Sequence, residues 1–268
     1  MFSPYYAWSG RGDPRNHVAL NAVLYGPRGK RWAMTERGRD ALDARSATLS
    51  IGPSALEWDG RGLTIHIDEL TAPFPLRLRG QVRVEPTGLN RQAFALDAEG
   101  RHIWRPIAPA ARVTARFTQP GVTWSGGGYF DMNAGCEPLE DAFHDWMWSR
   151  ATLARGAAVL YDARRRNGQP LSLALRFDAS GAVEHMPAPP LARLPSTLWR
   201  MPRATRSDDG QAQVVRGFED APFYSRSLVH ARVFGERVES MHESLSLTRV
   251  ANPIVRLMLP VKMRRGLG

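Results

Sequence analysis

Lysine is almost missing from this chain: of 36 basic residues among 268, only Lys30 and Lys262 are lysine, and the rest are arginine. Against 26 acidic residues this leaves a net charge of +10, but Arg is spread along nearly every segment. A nucleic-acid binder would gather its basic residues on one face or groove, so no nucleic-acid partner is expected. Even the densest run, Arg164-Arg165-Arg166, sits just before Asn167-Gly168, as the tip of a hairpin would.

Long apolar runs are also lacking. Nothing approaches the roughly 18 to 20 consecutive apolar residues of a spanning helix, and Met1-Phe2-Ser3-Pro4-Tyr5 has neither a basic nor an apolar leader region. One cysteine, Cys136, allows no internal disulfide, so a cytoplasmic address is the default expectation. The seven histidines are scattered, with no His-Glu-x-x-His or paired-Cys spacing, and no metal site is expected. Gly126-Gly127-Gly128 is not followed by Gly-Lys-Ser/Thr, and no dinucleotide fingerprint opens a helix, so no nucleotide cofactor is expected either.

What the chain does contain is a soluble globular composition, 43% hydrophobic and 23% charged, which excludes disorder as the main state. Period-2 alternation dominates it. The cleanest example is Leu76-Arg77-Leu78-Arg79-Gly80-Gln81-Val82-Arg83-Val84, with apolar residues and one glycine on one face and Arg or Gln on the other. Leu63 to Asp68, Val113 to Phe117 and Leu171 to Phe177 repeat the pattern. Turns are expected at Asp59-Gly60, Glu99-Gly100, Asn167-Gly168 and Ser180-Gly181, where glycine can take positive φ. Many short strands at this spacing predict an all-β sandwich or barrel. Helical periodicity is confined to Pro138–Trp148, where Leu139, Phe143 and Trp146 share a face, and to Ile254, Leu257, Met258 and Val261, bounded by Pro253 and Pro260. A boundary near Gln119-Pro120-Gly121 divides the chain into expected domains 1–120 and 121–268.

Two constellations stand out. In Trp124-Ser125-Gly126-Gly127-Gly128-Tyr129-Phe130-Asp131-Met132-Asn133, an extended backbone would put Tyr129, Asp131 and Asn133 on one side and Phe130 and Met132 on the other. Asp131 and Asn133 can be read as turn residues, or Asp131 as a carboxyl on an inner wall, kept protonated by apolar surroundings. In Arg101-His102-Ile103-Trp104, His102 and Trp104 share a strand face in the same way. Tyr5, Tyr6 and Trp8, with Phe2, form a third, N-terminal aromatic group. From Pro253 onward, apolar residues mix with Arg256, Lys262, Arg264 and Arg265 and no acid. This segment would either pack on its own domain or act as an interfacial anchor on anionic lipid.

Five stretches in order, Phe2-Ser3-Pro4-Tyr5-Tyr6-Ala7-Trp8, Trp32-Ala33-Met34-Thr35-Glu36-Arg37-Gly38, Gly128-Tyr129-Phe130-Asp131, Trp148-Ser149-Arg150-Ala151 and Met241-His242-Glu243-Ser244-Leu245-Ser246-Leu247, resemble the carotenoid 1,2-hydratases, or hydroxyneurosporene synthases. The resemblance implies two lipocalin-like antiparallel β-barrels, the first of them N-terminally short. It also implies a cofactor-independent hydro-lyase that adds water across the terminal C1=C2 bond of an acyclic carotenoid at a membrane surface. The family's proposed acid matches Asp131, and its associated positions match His102, Trp104 and Tyr129; Trp124, Phe130, Tyr6, Trp8 and Trp148 are the aromatics offered to the hydrocarbon. The alternative is a lipocalin-like carrier of apolar isoprenoids, which needs no acid. An ordinary Asp, with a reference pKa of about 3.9, is protonated only about one part in a thousand at pH 7, a deficit of roughly 4 kcal/mol that burial would have to remove.

Overall fold

The computed structural model describes residues 3–26, 29–261 and 263–266. Phe2 of the first motif and Lys262 of the C-terminal basic group lie outside the described residues. The chain divides into two compact units that are not consecutive in sequence: Met1–Glu85 with Arg112–Gly126 and Arg256–Gly268, and Pro86–Ala111 with Gly127–Val255.

In the first unit, Ser3 caps a short helix α1 (Pro4–Trp8) by accepting the Tyr6 amide, with Pro4 at the first turn, where its missing N–H costs nothing. Strands β1 (Val18–Gly26) and β2 (Gly29–Arg37) form an antiparallel hairpin. An antiparallel meander follows: β3 (Leu42–Ala44), β4 (Thr48–Ile51), β5 (Ser54–Trp58), β6 (Leu63–Leu70) and β7 (Arg77–Pro86). The alternation read in β7 is realised: Leu78 and Val84 are buried while Arg77, Arg79 and Gln81 are exposed. Gly80 belongs to the inward row because a Cβ there would lie 2.6 Å from the Arg116 carbonyl oxygen and the Phe117 Cα. Leu20, Ala33, Ile67, Leu78, Ala115 and Phe117 form the core of this unit. Beside it, the buried Glu69 carboxylate takes a forked bond from Arg37 at 2.7 and 3.0 Å and another from Ser54 Oγ at 2.8 Å.

The short β8 (Phe94–Ala95) pairs with β9 (His102–Gln119). Strand β9 and the following β10 (Val122–Gly135) each contribute one part to each unit. The rest of the second unit is built on β11 (Phe143–Thr152), β12 (Ala157–Arg165), β13 (Leu171–Phe177), β14 (Val183–His185), the pair β15 (Leu191–Leu194) and β16 (Arg203–Arg206), then β17 (Ala212–Asp220), β18 (Tyr224–Val233) and β19 (Glu236–Ser246). A seven-stranded antiparallel sheet runs in the order β14-β13-β12-β11-β19-β18-β17. All four anticipated turns carry their glycine at positive φ, from 68° at Gly100 to 88° at Gly60 and Gly181. The all-β expectation therefore holds. The arginines of the 164–166 run are tied into the fold: Arg164 to Asp145, Arg165 Nε to the Leu96 carbonyl at 2.8 Å, and Arg166 Nε to the Glu140 carbonyl at 2.7 Å.

One expectation fails. The helix read over Pro138–Trp148 reduces to the single turn α2 (Leu139–Ala142), and Phe143 begins β11. The 3.6-residue spacing of Leu139, Phe143 and Trp146 competed with a period-2 pattern. Placement of β11 between β12 and β19 gives its backbone ladder partners on both sides, which outweighs a short helix's own bonds. Near the C-terminus, α3 (Leu247–Val250) is followed by α4 (Pro253–Met258), within the expected bounds, and by one 3-10 turn (Leu259–Val261) that runs past Pro260. Ile254, Leu257 and Met258 on α4 are 71%, 69% and 41% exposed. Among the described residues no helix is long and apolar enough to cross a membrane.

Candidate active site

Alternation along β9 puts His102 and Trp104 on its inward face, where both are buried, Trp104 completely. On β10, Tyr129 and Asp131 share a side for the same reason. The two strands bring three of the four residues together. Trp104 Nε1 donates to Asp131 Oδ2 at 2.8 Å and lies 3.2 Å from the Tyr129 hydroxyl, and that hydroxyl donates to the same Oδ2 at 3.0 Å. Both donors converge on one carboxyl oxygen, and no side-chain donor among the described residues reaches Oδ1.

Aromatic rings line this group. Trp104 packs against Phe94 and Tyr161 with centroids 5.3 and 5.4 Å away, Tyr129 against Trp148 at 5.2 Å, and Tyr161 against Trp146 at 6.2 Å. Burial pushes the Asp131 carboxyl above the usual carboxylate range. The bonds from Trp104 and Tyr129 pull the other way because they favour the anion, and the nearby Glu243 carboxylate pushes it further up; burial prevails. Burial, with the neighbouring Asp131 charge, also raises the Tyr129 phenol, so its O–H stays on to donate. Tyr161 is raised by burial and then by Asp131 and Glu243.

His102 stands apart from this group. Its backbone N–H bonds Asp97 Oδ2 at 2.6 Å, its ring meets the edge of Phe143 at 5.1 Å, and its Nε2 lies 3.4 Å from Glu137 Oε1. Among the described residues no hydrogen bond joins it to Asp131. Gly135 makes room for the ring, since a Cβ there would lie 2.6 Å from His102 Nδ1.

Of the other candidates, Trp148 lies in the aromatic wall, Phe130 is half-buried on the opposite side of β10 from Asp131, and Asn133 is exposed. Tyr6, Trp8 and Trp124 belong to the first unit: Tyr6 packs on His17 at 5.2 Å, and Trp8 and Trp124 are largely exposed. Phe94, Glu137, Trp146, Tyr161 and Glu243 escaped the sequence reading. Glu243 lies inside a quoted motif, yet its place beside Asp131 depends on which strands pair. Among the described residues no group of three or more His, Cys, Asp or Glu is placed to hold a metal ion.

The Trp104 indole N–H gives a first test. Trp104→Phe keeps a buried ring but deletes a donor that favours the anion, so Asp131 should hold its proton to higher pH. The alkaline limb of a pH–activity profile should move upward; a limb unmoved would show that this bond does not bear on the carboxyl.

Comparison with known proteins places the chain. A solved structure described as a putative AttH from Nitrosomonas europaea matches with a TM-score of 0.56 at 12% identity, over 81% of this chain and 76% of that one, a likeness of fold alone that agrees with a lipocalin-like β architecture. Proteins named acyclic carotenoid 1,2-hydratase from Thiocapsa roseopersicina and Rubrivivax gelatinosus are 55% and 47% identical over 99% of this chain, which spans 67% of each of them. One from Cereibacter sphaeroides is 43% identical over all of this chain and 96% of its own length. The family model for the carotenoid hydratase CrtC matches residues 1–268, and the chain belongs to that family.

Proposed function

We propose that the chain adds water across the terminal C1=C2 bond of an acyclic carotenoid of the neurosporene or lycopene type, giving a tertiary 1-hydroxy product. The observation that carries this reading is the Asp131 carboxyl, raised by burial, gripped at Oδ2 by Trp104 and Tyr129, and ringed by aromatic faces. An unactivated trisubstituted alkene must be protonated at C2. With Oδ2 occupied by two donors, the proton belongs on Oδ1 and passes from there to C2. Positive charge then develops on the tertiary C1, where it offers no hydrogen-bonding handle. Aromatic faces stabilise it, each worth roughly 2 kcal/mol or more when dry, and Trp104 and Tyr129 are the rings to which this role is assigned. Water bonds to C1, and the proton it gives up returns to the Asp131 carboxylate, so that one alkene and one water give one alcohol. Every one of these steps uses protein side chains and water only. His102, one inward position along β9 from Trp104, supports the wall without touching the carboxyl.

The test is to incubate the purified chain with lycopene or neurosporene in lipid and look for products heavier by one water. Substrate recovered unchanged after incubation with the folded chain would contradict the reading.

A substrate of this kind resides in a bilayer, and α4 offers exposed Ile254, Leu257 and Met258 beside Arg256. This supports peripheral docking on the cytoplasmic side of an anionic membrane. The chain should co-sediment with phosphatidylglycerol-containing vesicles at low salt, and Ile254→Asp with Leu257→Asp should reduce the bound fraction at least tenfold. Equal recovery of both forms in the supernatant would rule out this docking mode.

A further inference from the structure

Hydration needs a group to receive the proton of the attacking water as well as one to protonate the alkene. The sheet of the second unit presents a candidate. Its register places Trp148 of β11 opposite Tyr161 of β12 and Glu243 of β19, and Glu243 opposite Arg226 of β18. Directly paired residues point to the same side of a sheet, so Tyr161, Trp148, Glu243 and Arg226 form one row on one face. That face meets the Asp131 group: Trp148 packs on Tyr129, and Tyr161 packs on Trp104. The Glu243 charge is close enough to bear on the Asp131 carboxyl.

Two polar atoms in this row are uncommitted. Arg226 Nε and its terminal nitrogen both bond Glu243 Oε1, at 2.9 and 2.5 Å, and no donor among the described residues reaches Oε2. The indole Nε1 of Trp148 is buried and has no hydrogen-bond partner among the described residues. A buried donor left unpaired is costly, and a water molecule between a donor and a carboxylate satisfies both. His102 packs on Phe143, with its Nε2 3.4 Å from Glu137 Oε1, and among the described residues it makes no hydrogen bond or ring contact with Asp131, Tyr129 or Trp148.

We propose that Trp148 and Glu243 hold the attacking water, Trp148 donating its N–H to the water oxygen and Glu243 Oε2 accepting a water hydrogen, and that Glu243 is the base of the reaction. The inference rests on Asp131 being the acid. As the π electrons of C1=C2 form the C2–H bond, the Asp131 O–H bond breaks. A water lone pair then forms the C1–O bond, and its O–H bond breaks with the proton passing to Glu243 Oε2. Transfer through solvent from Glu243 back to Asp131 resets the site, so one alkene and one water yield one alcohol. Arg226 fixes the base in orientation through its two bonds to Oε1.

The charged and titratable groups in this row or coupled to Glu243 are Arg226 from β18, Glu219 from β17 opposite Arg226, Tyr161 from β12 and Asp131 from β10. Wild-type activity should therefore need Glu243 ionised and Asp131 protonated, giving a profile with an acidic and an alkaline limb. Glu243→Gln should lower kcat by about 10²–10⁴-fold with little change in KM. It should also lose the acidic limb. The alkaline limb should move to lower pH, because the charge that raises Asp131 has gone. Trp148→Phe, which keeps the ring and loses the donor, should lower kcat by about tenfold and keep both limbs. Should Glu243→Gln fail to fold because its ion pair with Arg226 is broken, the double variant with Arg226→Gln removes both charges and should show the same loss of the acidic limb. A Glu243→Gln or double variant within threefold of wild type, or a slower one with the acidic limb intact, overturns the proposal. Asp131→Asn measured alongside separates the two readings: an inactive Asp131→Asn with a normal Glu243→Gln removes the base alone, whereas an active Asp131→Asn removes the acid and the base together.

Discussion

Asp131→Asn should fall in kcat by about 10²–10⁴-fold, the range expected when a positioned general acid is removed, while still binding the carotenoid. Asn is nearly isosteric with a protonated Asp. Its carbonyl oxygen can take the place of Oδ2 as acceptor from Trp104 and Tyr129, and its NH₂ stands where the protonated Oδ1 would be. The geometry is kept and only the transferable proton is lost. A lipocalin-like carrier would keep its whole function in this variant, so turnover and ligand binding measured together separate enzyme from carrier.

The same substitution has a stability signature. Asp131 is raised in the folded chain, so above the ordinary aspartate pKa of about 3.9 the folded state holds a proton that the unfolded state has released. Stability therefore declines as pH rises from there through the folded-state pKa. Asparagine has no such dependence. Asp131→Asn should gain stability relative to wild type between pH 4 and neutrality, as active-site residues held in unfavourable states do when they are replaced. Urea unfolding at several pH values checks the sign; a gap that shrinks as pH rises would show the carboxyl to be ionised in the folded chain.

The second large effect concerns Trp104. It is fully buried, packs on Phe94 and Tyr161, and donates to Asp131. Trp104→Ala should cost about 3–5 kcal/mol, from lost transfer energy plus the cavity left behind. Thermal unfolding should drop by roughly 10 °C for a chain of this size. Activity should fall by at least about 30-fold even where the variant is folded, because a cation-facing ring worth roughly 2 kcal/mol is gone. Calorimetry and turnover at low temperature check both; a stable, active Trp104→Ala would remove this ring from the account.

Much of this is legible in the amino-acid sequence. Period-2 alternation in Leu76 to Val84 and the positive-φ glycines at 60, 100, 168 and 181 are local signals, set by burial of one strand face and by turn geometry. His102 with Trp104, and Tyr129 with Asp131, are i, i+2 pairs, so their shared faces also follow locally. What stayed hidden is non-local. Whether Phe143 to Trp148 coils or extends depends on partners near residues 160 and 245. Tyr161 and Glu243 reach the acid only through that register, and nothing in their own neighbourhoods announces it. His102 and Trp104 looked equivalent on their strand, yet only Trp104 bonds the carboxyl, because His102 stands one pleat further toward Gly135 and Glu137.

The most direct measurement of the central claim is an NMR titration of the Asp131 side-chain carboxyl carbon, assigned by comparison with Asp131→Asn. The resonance should remain that of the protonated acid well above the pH at which ordinary aspartates ionise. A midpoint at or below the usual aspartate value would contradict it, leaving a carboxylate with no proton to give to an alkene.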